Sequence, residues 1–114
     1  MPAKLSTHVL DLAAGRPAAG MKIELRRLGA NPVLLATVST NADGRTERPL
    51  LEGPTMAAGD YELRFFVRDY FMARSVECTF LDQVPLHFHL ADPSASYHVP
   101  LLVTPWSYNT YRGS

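Results

Sequence analysis

What this sequence lacks narrows its function before any motif is read. It has no surplus of either charge: eleven basic side chains stand against eleven acidic ones, so no broad field draws it to nucleic acid or to an anionic membrane. It has a single cysteine, Cys78, which excludes an internal disulfide and leaves the fold to packing alone. No histidine or basic residue adjoins that cysteine, so it reads as a buried or indifferent thiol rather than a nucleophile. The longest apolar runs, such as Val33 to Ala36 and Val99 to Val103, fall far short of a membrane span. The opening residues hold no apolar stretch of signal-peptide length, and Arg112, Gly113 and Ser114 are not a peroxisomal address. A cytoplasmic protein that binds neither nucleic acid nor membrane is the expectation. Internal repeats and low-complexity tracts are missing too.

What is present is turn chemistry spread along one domain, residues 1–114. Nine prolines and seven glycines are well scattered, which favours short strands over long helices. Met21 to Arg27 alternates Met21, Ile23 and Leu25 with Lys22, Glu24 and Arg26, the period of a strand with one apolar and one charged face. Tyr61 to Val67 and Leu86 to Leu90 repeat the pattern. Further strands are expected over Leu5–Leu10, Val33–Thr40, Tyr97–Val103 and Trp106–Tyr111, with a short one near Leu50. Segments such as Asn41-Ala42-Asp43-Gly44 and Asp92-Pro93-Ser94 supply the intervening turns. Pro100 lacks an amide proton and is expected at a bulge or edge. Only Arg68 to Arg74 reads as helical. Strands of this kind bury themselves as two packed sheets, so the expected fold is an all-β sandwich of seven or eight strands with one short helix.

A sandwich by itself says nothing of function; polar residues on its strands do. His8 lies in Leu5-Ser6-Thr7-His8-Val9-Leu10-Asp11, and His98 in Tyr97-His98-Val99-Pro100; an imidazole titrating near neutrality is the usual proton carrier in hydrolysis. Arg45 ends the Asn41–Gly44 turn, where its planar fork suits a carbonyl-rich or anionic ligand. His87 and His89 form a His-x-His pair that two ligands of one metal can use. No acidic residue sits at a helpful offset beside them in sequence, so they read as exposed histidines and no metal site is expected. The final Tyr108 to Ser114 is rich in hydrogen-bonding groups, a sign of an ordered rather than a frayed end.

Taken together, these segments resemble one family. Leu5 to Asp11, followed by Gly15-Arg16-Pro17-Ala18, the Asn41-Ala42-Asp43-Gly44-Arg45 turn, Tyr97 to Leu102, and the terminal Tyr111-Arg112-Gly113-Ser114 are similar to the 5-hydroxyisourate hydrolases, transthyretin-related enzymes of urate breakdown. The resemblance covers about Leu5 to Ser114. It departs at Ser96, where family members often carry a histidine, so Ser96 is not counted as catalytic. The His87 and His89 pair is no part of the family's pattern.

The resemblance implies a transthyretin-like (prealbumin-like) sandwich, paired edge to edge into dimers that meet face to face as a homotetramer around a channel. It implies that His8, Arg45, His98 and Ser114 are catalytic, and that Tyr111, Arg112 and Gly113 join His8 and Arg45 in binding 5-hydroxyisourate. The product is 2-oxo-4-hydroxy-4-carboxy-5-ureidoimidazoline. His98 is then the general base, polarised by a neighbour such as Ser114, with His8 as the second acid–base group. The two histidines' roles are interchangeable at this level. No cofactor is implied, since the substrate is already an activated acyl compound. Other readings are a carrier that holds a small aromatic ligand without turning it over, an adhesion or accessory module, and a zinc enzyme built on His87 and His89.

Overall fold

The computed structural model describes residues 2–114. Eleven strand segments and one short helix follow in chain order: β1 (Lys4–Ser6), β2 (Val9–Asp11), β3 (Arg16–Pro17), β4 (Lys22–Arg27), β5 (Val33–Ser39), β6 (Leu51–Glu52), β7 (Gly59–Phe66), α1 (Val67–Met72), β8 (Gln83–Leu90), β9 (Tyr97–His98), β10 (Leu101–Val103) and β11 (Tyr108–Asn109). They build two layers. One is an antiparallel sheet in the order β5-β4-β7-β8; the other is β6-β1-β9 continued by β11-β10-β2-β3.

The segment count exceeds the expected seven or eight because two long strands are bent. The strand expected over Leu5–Leu10 breaks at Thr7 and His8, and that over Tyr97–Val103 breaks at Val99 and Pro100. The breaks lie side by side, since β1 runs parallel to β9 and β2 parallel to β10. Hydrogen bonds stitch them: the Val99 N–H donates to the Ser6 carbonyl at 2.9 Å, the Leu101 N–H to the His8 carbonyl at 2.9 Å, and the buried Thr7 hydroxyl to the Val99 carbonyl at 2.8 Å. Pro100 falls where an amide donor is not required, as its chemistry dictates. With each bent pair taken as one strand, only the two-residue β3 is additional, and the expected sandwich of eight strands with one short helix is recovered.

Periodicity of two sets the core. Ile23, Leu25, Leu63, Phe65, Val84, Leu86 and Leu90 point inward from one sheet, and Leu5, Val9, Leu101 and Val103 from the other, forming one apolar cluster. Each such side chain contributes about 1.5–3 kcal/mol when fully buried. The register pairs like with like: Ile23 opposite Phe65 and Leu25 opposite Leu63 inside, Glu24 opposite Arg64 and Arg26 opposite Glu62 outside. Pro85 is tolerated within β8 because that strand is a sheet edge. The strand expected over Trp106–Tyr111 shrinks to two residues, because Thr104 folds a turn onto Ser107 and its Oγ1 accepts the Trp106 and Ser107 amides. Trp106 is left exposed in that turn, stacked on Phe80. Among the described residues, no helix is long and apolar enough to cross a membrane.

Candidate active site

The paired breaks and the turn beside them gather three of the expected residues. Asn41 organises the turn: its Oδ1 accepts the Asp43 amide at 2.9 Å and the Arg45 amide at 3.2 Å, while the Gly44 N–H donates to its carbonyl. Gly44 sits at φ +75°, and a Cβ there would lie 2.3 Å from the Val9 carbonyl oxygen. Only glycine permits that approach. The Gly44 carbonyl in turn accepts the Val9 N–H at 2.8 Å, tying the turn to the start of β2 and delivering Arg45 next to the break. His8, inside the break, donates from Nε2 to the Asp43 carbonyl at 2.8 Å; a carbonyl can only accept, so that nitrogen carries the hydrogen.

His98 stands on β9 directly across from Ser6 on β1. Its Nδ1 is 2.9 Å from the Ser6 hydroxyl oxygen. On its other side the chain returns: the His98 N–H donates to the Gly113 carbonyl at 3.1 Å, and the Gly113 N–H to the His98 carbonyl at 2.7 Å. The tail is therefore an ordered edge of the sheet. Gly113 packs so closely that a Cβ there would meet His98 Cβ at 3.1 Å and Cδ2 at 3.2 Å, so a larger residue would press on the imidazole. Burial, then the charge of Arg45, then that of His8 hold the His98 imidazole below its ordinary value. A half-buried imidazole kept neutral beside a guanidinium can take a proton while the cation stabilises developing negative charge.

Other expected residues are placed differently. Ser114 follows Gly113 and is exposed, whereas the hydroxyl on His98 Nδ1 belongs to Ser6, which sequence reasoning passed over. Its signal was there, two positions before His8 and on the same side of an alternating strand. Tyr111 and Arg112 line a groove of about 310 Å³ with Phe88, Tyr97 and Thr110, and none of His8, Arg45 or His98 lines it. Arg112 lies over the Tyr97 ring at 4.5 Å and donates to the Ser96 carbonyl. Ser96 itself accepts the Lys4 amide. A second hollow, about 210 Å³, is lined by Lys4, Ser6, Thr7, Arg45 and Arg48.

His87 and His89 are exposed, as expected, but the register gives them acidic neighbours that no sequence offset supplies. Strand β7 sets Glu62 opposite His87 and Asp60 opposite His89, with contacts of 2.9 and 2.8 Å. Burial raises the Glu62 carboxyl, but hydrogen bonds from Arg64 and His87, with their charges, outweigh it and leave it below the usual range. This is an ion-pair network on the outer face of the other sheet. Among the described residues, no group of three His, Cys, Asp or Glu is arranged to hold a metal ion. Cys78 is buried, its Sγ facing the Leu81 carbonyl, and burial pushes its thiol up.

Comparison with known proteins adds to this geometry. The model of the HIUase/Transthyretin family matches residues 5–113. A Rhizobium meliloti protein, 5-hydroxyisourate hydrolase 2, is 53% identical over 115 residues, covering 97% of this chain and 96% of that one. Among solved structures, Klebsiella pneumoniae 5-hydroxyisourate hydrolase superposes with a TM-score of 0.84 at 33% identity, covering 98% of this chain and 99% of that one. A crystal structure of (S)-allantoin synthase superposes with a TM-score of 0.94 at 43% identity over 99% of this chain; the chain spans 44% of the length of that protein.

Proposed function

Because this chain belongs to the HIUase/Transthyretin family and matches 5-hydroxyisourate hydrolases over nearly its whole length, we infer that it hydrolyses 5-hydroxyisourate in the breakdown of urate. It is a cyclic amide hydrolase. The observation that carries the chemical reading is His98, half-buried, kept neutral, and flanked by His8 and Arg45.

In this mechanism His98 Nε2 takes a proton from water as the oxygen adds to the amide carbonyl carbon. Arg45 stabilises the oxyanion of the tetrahedral adduct, a contribution of about 3 kcal/mol for a donor so placed. The ring carbon–nitrogen bond then breaks; the nitrogen leaves with a proton from an imidazolium, and the carbonyl carbon ends as a carboxylate. Positioned proton transfer adds about 10²–10⁴-fold. His8, held through Nε2, offers Nδ1 as the second proton-handling or orienting group. Tyr111, Arg112, Gly113 and Ser114 are proposed to border the substrate. The support is the pairing of Gly113 with His98; Tyr111 and Arg112 would reach the substrate from their groove once a neighbouring subunit closes the face. A non-catalytic carrier is not favoured, since a carrier of an apolar ligand has no use for two imidazoles and a guanidinium.

Assembly belongs to the same proposal: a homotetramer, a dimer of dimers, in which facing subunits enclose the site. Support comes from the exposed apolar stack of Phe80 and Trp106 and from exposed Val33, Leu34 and Leu35 on edge strand β5, apolar surface that a neighbouring subunit could cover. A cytoplasmic location is proposed too, where a free thiol such as Cys78 stays reduced.

The test is spectrophotometric. Substrate is made fresh with urate oxidase, and its decay is compared with the spontaneous rate. Wild-type protein is expected to accelerate that decay, while His98→Asn and Arg45→Ala fold normally and lose at least about 100-fold. No acceleration by the wild type would overturn the function.

A further inference from the structure

We propose that Ser6 is a positioning residue for this hydrolysis: its hydroxyl oxygen accepts the Nδ1–H of His98 and so reserves Nε2 as the nitrogen that takes the proton from water. The inference rests on the functional reading above and concerns how the base is prepared.

Four observations carry it. Ser6 and His98 are direct register partners in a parallel pair, and their side chains meet at 2.9 Å on the same sheet face. Ser6 is held by its backbone, its carbonyl accepting the Val99 N–H beside the break, so the hydroxyl is presented by a strand and not by a loop. The tail runs beside the ring, close enough that a Cβ added at Gly113 would lie 3.1 Å from His98 Cβ and 3.2 Å from its Cδ2. Among the described residues, His98 Nε2 makes no hydrogen bond to the chain, and the Ser6 hydroxyl has no other side-chain or backbone partner.

A hydroxyl can donate or accept, so the direction follows from the step. If Ser6 donated to Nδ1, the neutral ring would carry its hydrogen on Nε2 and could not take another there. With Ser6 accepting, Nε2 holds the lone pair. After protonation both nitrogens are donors, and the hydroxyl still accepts. Nothing in this contact turns over during the reaction, which is how a preorganised partner lowers a barrier. His8 is fixed the opposite way round, through Nε2 to the Asp43 carbonyl. The two imidazoles thus offer different ring nitrogens. The charged and titratable groups acting on His98 are Arg45 and His8, and neither is altered by a change at Ser6.

The experiment compares wild type, Ser6→Ala and Ser6→Thr by imidazole ¹⁵N NMR and by kcat and KM across pH. Wild type is expected to show neutral His98 in the Nδ1–H form, and Ser6→Ala a mixture of both tautomers. Partners that orient a metal-bound histidine are typically worth about 10–100-fold; the same factor is expected for a histidine base, so kcat should fall by it in Ser6→Ala, with KM little changed. The acid limb of kcat should also move to lower pH, because the imidazolium loses an acceptor. Ser6→Thr, which keeps the hydroxyl, should restore both tautomer and rate. A purely packing role would move none of these readouts. Active wild type with His98 in the Nε2–H form, or Ser6→Ala indistinguishable from wild type, would overturn the role of Ser6. Wild type with the Nδ1–H signal but no turnover would instead overturn the functional reading beneath it.

Discussion

At the scale of single residues, the chemistry turns on one imidazole whose charge is opposed from several sides. Burial comes first for His98, followed by Arg45 and His8, and all three disfavour its protonated form. Its folded value therefore lies below the ordinary 6.5, and two consequences share one sign. The working form of a base is the neutral one, so the acid limb of kcat/KM should have its midpoint below 6.5. The unfolded chain binds the proton more readily than the folded one, so stability also declines as pH falls from 6.5 towards the folded value. Arg45→Met removes an opposing charge, and should lower the plateau while moving the acid limb up in pH. Rate profiles of the two proteins check this; a limb that stays in place would show that Arg45 does not act on His98.

At the scale of elements, the site is built by irregularities in otherwise regular strands. The Asn41–Arg45 turn depends on Gly44, whose positive φ and closeness to the Val9 carbonyl leave no room for a side chain. Gly44→Ala should cost at least about 2 kcal/mol, from left-handed strain together with the loss of the Val9 bond, and should lower kcat by displacing Arg45. Urea unfolding measures the first effect and the decay assay the second. Away from the site, one hydrogen bond ties α1 to β2: the Tyr70 hydroxyl donates to buried Asp11 Oδ2 at 2.8 Å. Burial, this bond and the Asp11 charge push the Tyr70 phenol up to about 12, so it remains a donor throughout the working range. Tyr70→Phe leaves a buried carboxylate oxygen without its partner and should destabilise by about 1–3 kcal/mol with hydrolysis unaffected. Equal loss of stability and turnover would contradict that separation.

At the scale of the whole molecule, a single chain presents His8, Arg45 and His98 on an open sheet face. In the proposed assembly another copy encloses that face and screens the reaction from bulk water, which strengthens every interaction in the site. Light scattering is expected to give the mass of four chains. Specific activity should fall on dilution below the assembly's dissociation range, as mass action requires of a shared site. A monomer with undiminished specific activity would remove the shared channel from the mechanism.

The local sequence determined the elements wherever a strand had one wet and one buried face. The alternation of Ile23 and Leu25 with Glu24 and Arg26, or of Leu63 and Phe65 with Glu62 and Arg64, leaves no other economical way to bury the apolar set. Glycine at 44 announced a turn and proline at 100 an irregular point in its strand through their own backbone chemistry. What no local rule decided is which distant residues face each other. The parallel register of β1 on β9 makes Ser6 the partner of His98, and the antiparallel register of β7 on β8 hands Glu62 and Asp60 to His87 and His89. Those pairings span 92, 25 and 29 positions of sequence. Register is settled by burying two whole faces at once, so only the closed sandwich could assign them.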